Sequence, residues 1–69
     1  MEIKWDEGFE IRVRVEERCA VVSANAEGLR SLAGILLSLA EDSSCAHLHL
    51  DAYNSLEDGS DELILERIK

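Results

Sequence analysis

The sequence predicts an α+β fold, in which a small antiparallel or mixed sheet of four to five strands carries one helix packed on one face. Apolar and polar residues alternate strictly from residue 9 to residue 16, which is the pattern of a half-buried strand. Between residues 25 and 41 the apolar residues recur at helical spacing instead. Further strand patterns on both sides of this helix give the predicted order β-β-β-α-β-β.

The length of 69 residues predicts a single domain spanning residues 1–69. A chain of this size buries only about 60% of its unfolded surface, so we expect a thin core. Apolar residues make up 46% of the sequence, with three aromatic residues and no proline. This composition favours a folded domain whose core is built on leucine, isoleucine, valine and alanine.

The N-terminal third contains three strand patterns. Residues 3–5 predict a short edge strand that stops at the polar turn of residues 6–8. The alternating segment that follows predicts a strand whose inward residues are Phe9, Ile11, Val13 and Val15. The small and β-branched residues 19–23 predict a central strand enclosed on both sides, with Cys19 as a small core residue. Together they predict a three-stranded meander.

The helix is predicted to begin after Asn25, whose side-chain oxygen can accept a hydrogen bond from the first turn. Gly34 costs about 1 kcal/mol relative to alanine inside a helix, so a close backbone approach is expected there. Ile35 lies at the margin of the apolar stripe, and residues 42–44 end the helix. The stripe expected to pack on the sheet consists of Leu29, Leu32, Ala33, Leu36, Leu37, Leu39 and Ala40.

The C-terminal third returns to strand patterns. Residues 46–52 predict a strand with Ala46, Leu48, Leu50 and Ala52 inward and His47, His49 and Asp51 outward. Residues 54–61 form a polar, acidic loop containing Gly59, and strand character resumes over residues 62–68.

The charge of the chain is strongly negative, with 15 acidic residues against 7 basic ones and a net charge of -8. Such a field repels a phosphate backbone, so no nucleic-acid partner is predicted. It attracts a basic protein and raises the rate of encounter with it. The alternative is that the charge serves solubility alone.

Two cysteines are too few for the disulfide framework of a small secreted domain, and no basic region followed by an apolar run lies near Met1. The longest apolar stretch, residues 32–40, is interrupted by Gly34 and Ser38 and falls short of the roughly 20 residues of a membrane span. The sequence therefore predicts a cytoplasmic protein with free thiols and no membrane segment.

His47 and His49 are candidate metal ligands, because residues two apart on a strand project to the same side, and Asp51 could be a third ligand. Three donors on one strand lie along a line, however, so a tight site would need a ligand from another element. The alternative is that these histidines pair with acidic side chains across the sheet. We therefore predict no metal and no other cofactor.

A catalytic site is not predicted. Cys45 precedes His47 by two residues, but proximity in sequence does not make a nucleophilic pair, and Cys45 is interpreted as a loop thiol. The sequence contains no glycine-rich phosphate loop and no nucleophile elbow, and a core this small leaves little room for a pocket that excludes water. The chain is therefore interpreted as a binding protein rather than an enzyme.

Several short segments carry a family resemblance: residues 23–29 (SANAEGL), the Leu-Ala pairs at 32–33 and 39–40, residues 47–51 (HLHLD), and residues 59–60 and 62–64. Over residues 23–68 the chain resembles the immunity protein 32 family of bacterial polymorphic toxin systems. The resemblance implies a small cytosolic protein that binds a cognate toxin domain and neutralises it by stoichiometric occlusion. Many such toxins are nucleases with basic clefts, so a basic partner is expected.

Two polar regions are the candidate contacts with that partner. The first is the strand with His47, His49 and Asp51, and the second is the acidic loop with Glu57, Asp58 and Asp61. Two alternatives remain open. The chain could be a small metal-binding protein using the same strand, or a homodimeric structural module paired through Ile35 or a sheet edge.

Overall fold

The computed structural model describes residues 2–42 and 46–68. Within them the elements are β1 (Ile11–Glu16), β2 (Cys19–Ala24), α1 (Ala26–Glu41), β3 (His47–Leu50) and β4 (Leu63–Glu66). The α+β class and four of the predicted strands are confirmed, with ends shifted by one or two residues. None of the helices in these two ranges has the length and apolar character needed to cross a membrane.

The predicted edge strand at residues 3–5 is wrong. Residues 2–6 have no regular structure, and the following turn is closed by a 3.1 Å hydrogen bond from the Phe9 N–H to the Asp6 carbonyl. The Trp5 and Phe9 rings stack with their centroids 4.5 Å apart, and both pack against the core. The alternating apolar residues of this segment are therefore anchored through side chains and not through a strand ladder.

The strands form two separate two-stranded antiparallel sheets, β1 with β2 and β3 with β4, so the prediction of one sheet is wrong. The register pairs Val13 with Val22 and Leu48 with Leu65. The turn between β1 and β2 places Glu17 and Arg18 at φ values of 40° and 78°, in the left-handed region that a tight hairpin turn requires.

The acidic loop takes the place of the missing ladder between the two sheets. The Val13 N–H donates to Ser60 Oγ (3.1 Å), and the Val15 N–H donates to Asp61 Oδ2 (2.7 Å). The Asp61 N–H in turn donates to the Val13 carbonyl (2.8 Å). Residues 57–61 thus satisfy the outer edge of β1 with side-chain acceptors as well as backbone, and for this reason the sheet is not continuous.

Helix α1 buries a face that shares only Leu39, and in part Leu32, with the predicted stripe. Its N-cap is confirmed at Asn25, but Leu29, Leu36 and Leu37 are 55%, 50% and 64% exposed. Small residues let the helix approach the sheet closely, so the face containing them is the one that packs inward. The buried residues are Gly28, Ser31, Ile35 and Leu39.

The close backbone approach predicted at Gly34 is wrong, because it occurs at Gly28 instead. A Cβ added at position 28 would meet the Glu10 carbonyl oxygen at 2.5 Å, whereas one at position 34 would meet nothing within 4 Å. Near Gly28, the Ser31 hydroxyl accepts from the Asp6 N–H (2.8 Å) and donates to the Glu27 carbonyl (2.9 Å). These contacts tie the N-terminal segment to the helix. The helix ends at Glu41 with Asp42 as its C-cap, and residues 43 and 44 of the predicted end lie outside the described residues.

The core lies between α1 and the inner faces of the two hairpins. Its centre is formed by Ile11, Val13, Leu50 and Leu56, and Leu63 and Leu65 pack against it. The prediction of an enclosed central strand at β2 is wrong, because β2 pairs on one edge only and none of its residues is fully buried. Cys19 is accordingly exposed, and Val15, which was predicted to point inward, is 59% exposed.

Candidate functional site

The two histidines lie side by side on the exposed face of β3, as predicted. Their rings meet edge to face with centroids 5.2 Å apart. His49 Nδ1 lies 3.1 Å from Glu62 Oε2, and both side chains are about half exposed. This contact is the acidic pairing that the sequence offered as the alternative to a metal site. Because Glu62 directly follows Asp61, the structure brings His49 to the end of the acidic loop.

Asp51 has a structural role of its own. It follows the last residue of β3, and its Oδ1 accepts from the Tyr53 N–H (2.9 Å) and the Asn54 N–H (3.1 Å). Its carbonyl accepts from the N–H groups of Ser55 (3.0 Å) and Leu56 (2.8 Å). The carboxylate therefore organises the turn after the strand, in the way that an aspartate caps a helix.

We expect Asp51→Ala to lower the free energy of unfolding by about 1–2 kcal/mol, the usual cost of losing such a cap. Asp51→Asn, which keeps the Oδ1 acceptor, should retain most of the stability. Urea denaturation measures both changes. The exposed pair His47→Ala/His49→Ala should stay within about 0.5 kcal/mol of the native chain. Equal stability of Asp51→Ala and the native chain would contradict the capping role.

The described residues do not assemble a metal site. No group of three or more histidine, cysteine, aspartate or glutamate side chains within residues 2–42 and 46–68 is placed to hold a metal ion. The Asp51 carboxylate, proposed as the third ligand, is directed to its own turn. Cys45, the loop thiol near His47, lies outside the described residues. The metal-binding alternative therefore gains no support from the geometry.

Part of the acidic loop is hydrogen-bonded to β1. The Asp61 carboxylate accepts a hydrogen bond from the Val15 N–H, and Arg12 Nη1 donates to the Asp58 carbonyl at 2.8 Å. Gly59 adopts a φ of 85°, which gives the loop its turn. Asp58 and Asp61 are both exposed, and Glu57 is half-buried. The loop thus presents acidic residues to solvent while it closes the edge of β1.

An open apolar depression of about 380 Å³ lies between the helix and the strands β2 and β4. The sequence does not predict it, because helical periodicity places the whole apolar stripe in the core. One sequence feature could have indicated the depression. Residues 31–40 of α1 contain no charged side chain, so the helix has more apolar surface than one buried face requires. The depression is lined by Val22, Leu29, Leu32, Ala33, Leu36, Leu63 and Leu65.

Most of the arginines are engaged within the chain. Arg14 pairs with Glu16 (2.9 Å), and Arg30 pairs with Asp6 (3.0 Å). Arg67 Nη1 donates to the carbonyls at the C-terminal end of α1, at 3.3 and 3.5 Å. These contacts leave the net charge at -8, because an arginine bonded to a carbonyl keeps its charge and each ion pair removes one charge of each sign.

Comparison with known proteins gives a family. A family model described as Immunity protein 32 matches residues 20–68, well over half of the chain, and confirms the resemblance predicted from the sequence. None of the curated proteins and none of the solved structures gives a significant match. The matched range contains the histidine strand, the acidic loop and the whole lining of the apolar depression. The chain therefore belongs to the immunity protein 32 family.

Proposed function

We propose that this protein binds a cognate toxin domain and neutralises it by stoichiometric occlusion, without chemistry of its own. Membership of the immunity protein 32 family is the observation that carries the proposal. A chain of 69 residues can act in this way because blocking an active cleft needs only a complementary surface. We expect it to act in the cytoplasm, on a toxin that has reached that compartment.

The charge of the chain supports a basic toxin as the partner. A net charge of -8 attracts a basic surface over a range of about 8–10 Å at physiological salt. An inhibitor benefits from this attraction because it must reach the toxin before the toxin reaches its substrate. Nucleic acid is disfavoured as a direct partner because the negative charge of the chain repels its phosphate backbone.

The polar contact residues proposed from the sequence fall into two groups. Asp51 and Asp61 use their carboxylates within the fold, so changing either would test stability together with binding. His47 and His49 are exposed on one face, and they are the cleaner probes of a contact there. The remaining contact candidates are Glu57 and Asp58.

Co-expression with the toxin domain encoded beside the gene tests the proposal. We expect the native chain to restore growth and to form a one-to-one complex with a catalytically inactivated toxin domain. His47→Ala/His49→Ala should weaken that complex about tenfold if the histidine face contributes at the rim of the contact. Failure of the native chain to restore growth, with both proteins soluble and the toxin active, would contradict the proposed function.

A further inference from the structure

Between Arg30 and Glu41, the outer side of α1 carries none of the charged residues that are usual on a solvent-facing helix. Residues 31–40 contain no charged side chain, although half of them are exposed. A helix that is apolar or small on all sides is normally buried. The exposed residues of this segment are Ala33, Gly34, Leu36, Leu37 and Ala40. The sequence of α1 is therefore suited to contact on both its inner and its outer side.

The outer surface of the helix is continuous with the apolar depression. Leu29 and Leu36 are 55% and 50% exposed at its helix wall, Val22 is 40% exposed on β2, and Leu63 and Leu65 complete the lining from β4. Single exposed leucines are ordinary, but a concave group drawn from three elements is typical of an interaction site.

We propose that this depression receives an apolar ridge of the toxin domain, a ridge flanked by basic residues. This inference rests on the proposed function and names the surface that performs it. The charge of the chain favours this occupant over a second copy. Two copies would repel each other because each has a net charge of -8, whereas a basic partner is attracted. Glu62 and Glu66 are exposed on the histidine face, opposite to the lining leucines of β4, so the net charge of the whole chain favours a basic partner.

The depression would form the apolar centre of a larger contact with this occupant. A stable protein contact covers about 800 Å² on each partner, against a total surface of 5003 Å² for this chain. An apolar centre surrounded by a polar surface is the usual anatomy of such a contact. Ile35, the residue first considered for a homodimer, is only 2% exposed and is not available to a second copy.

The test compares two variants of the full chain against a catalytically inactivated form of the toxin domain encoded beside the gene. Leu29→Ser/Leu36→Ser removes two half-exposed side chains from the depression, and we expect it to weaken binding about 100-fold. Ile68→Ser is the matched control, since Ile68 is 86% exposed and belongs neither to the lining of the depression nor to the proposed polar contacts. It should bind within about threefold of the native chain.

A third variant keeps the test decisive if the double serine variant folds poorly. Ala33→Lys introduces a long basic side chain at an exposed helical position of the lining, so the fold should persist while a basic partner is repelled. Calorimetric titration gives the affinities, and light scattering gives the mass of each free variant.

The outcomes separate the two proposals. Loss of binding by the depression variants with a normal control supports the inference. Unchanged binding by these variants overturns it and leaves the proposed function standing. No binding by the native chain overturns both. A native dimer that the depression variants dissociate, with toxin affinity unchanged, assigns the depression to a second copy and also overturns the inference.

Discussion

Replacing Gly28 with alanine should lower the free energy of unfolding by about 3 kcal/mol, the upper end of the usual cost of overpacking. A Cβ at this position would lie 2.5 Å from the Glu10 carbonyl oxygen, 2.9 Å from Ile11 Cγ1 and 3.1 Å from Ala24 Cβ. The nearest atom belongs to the backbone, so the helix itself would have to move away from β1. Urea denaturation measures the loss.

Gly34→Ala is the matched control in the same helix. Nothing lies within 4 Å of a Cβ at position 34. Alanine is favoured over glycine inside a helix, so this change should raise the free energy of unfolding by about 0.5–1 kcal/mol. Similar effects of the two substitutions would contradict the close packing of α1 against β1 at Gly28.

Asn25→Ala should cost about 2 kcal/mol, because one side chain makes three hydrogen bonds. Its Oδ1 accepts from the Gly28 N–H (2.8 Å), which caps the helix, and from the Glu10 N–H (3.0 Å). Its Nδ2 donates to the Gly8 carbonyl at 2.9 Å. The residue therefore joins the start of α1 to the segment before β1, and its loss should lower the midpoint of thermal unfolding.

Asn25→Asp separates these contributions. Aspartate keeps both Oδ1 contacts and is favoured at a helix N-terminus, but it cannot donate to Gly8. We expect a loss within about 1 kcal/mol for this variant. If aspartate and alanine proved equally destabilising, the Gly8 contact and not the helix cap would be the main contribution of Asn25.

Features set by neighbouring residues were predictable. Asn25 caps the helix because its side chain reaches amides three positions away, and no distant element is needed. The alternation of β3 places Leu48 and Leu50 inward and His47 and His49 outward, because strand geometry alone decides which side chains share a face. The hairpin of β1 and β2 follows from an alternating strand and a strand of small and β-branched residues on either side of a two-residue turn.

Features set by contacts between distant residues were not predictable. Periodicity shows that α1 has an apolar stripe, but the buried side is chosen by how closely Gly28 and Ser31 allow the helix to approach β1. The division into two sheets depends on Ser60 and Asp61, whose side chains reach the β1 amides from far along the chain. Nothing local to those two residues indicates the contact.

The candidate site was predictable only where local strand geometry determines it. His47 and His49 were placed correctly, whereas the cap formed by Asp51 depends on the turn geometry that follows β3. The apolar depression was hidden because a sequence shows how much apolar surface a helix has, but not how much of it the rest of the chain covers. In α1, Leu29 and Leu36 are not buried in the core and instead line the apolar depression.

The loop along β1 also bears on synthesis of the chain. The hydrogen bonds of Val13 and Val15 to this loop span 47 and 46 residues. On the ribosome, β1 can pair with β2 as soon as that hairpin emerges, but its other edge stays open until Asp61 has been made. An open strand edge invites pairing with other chains. The nascent chain is therefore most exposed to misassembly in the interval between completion of the hairpin and arrival of the acidic loop.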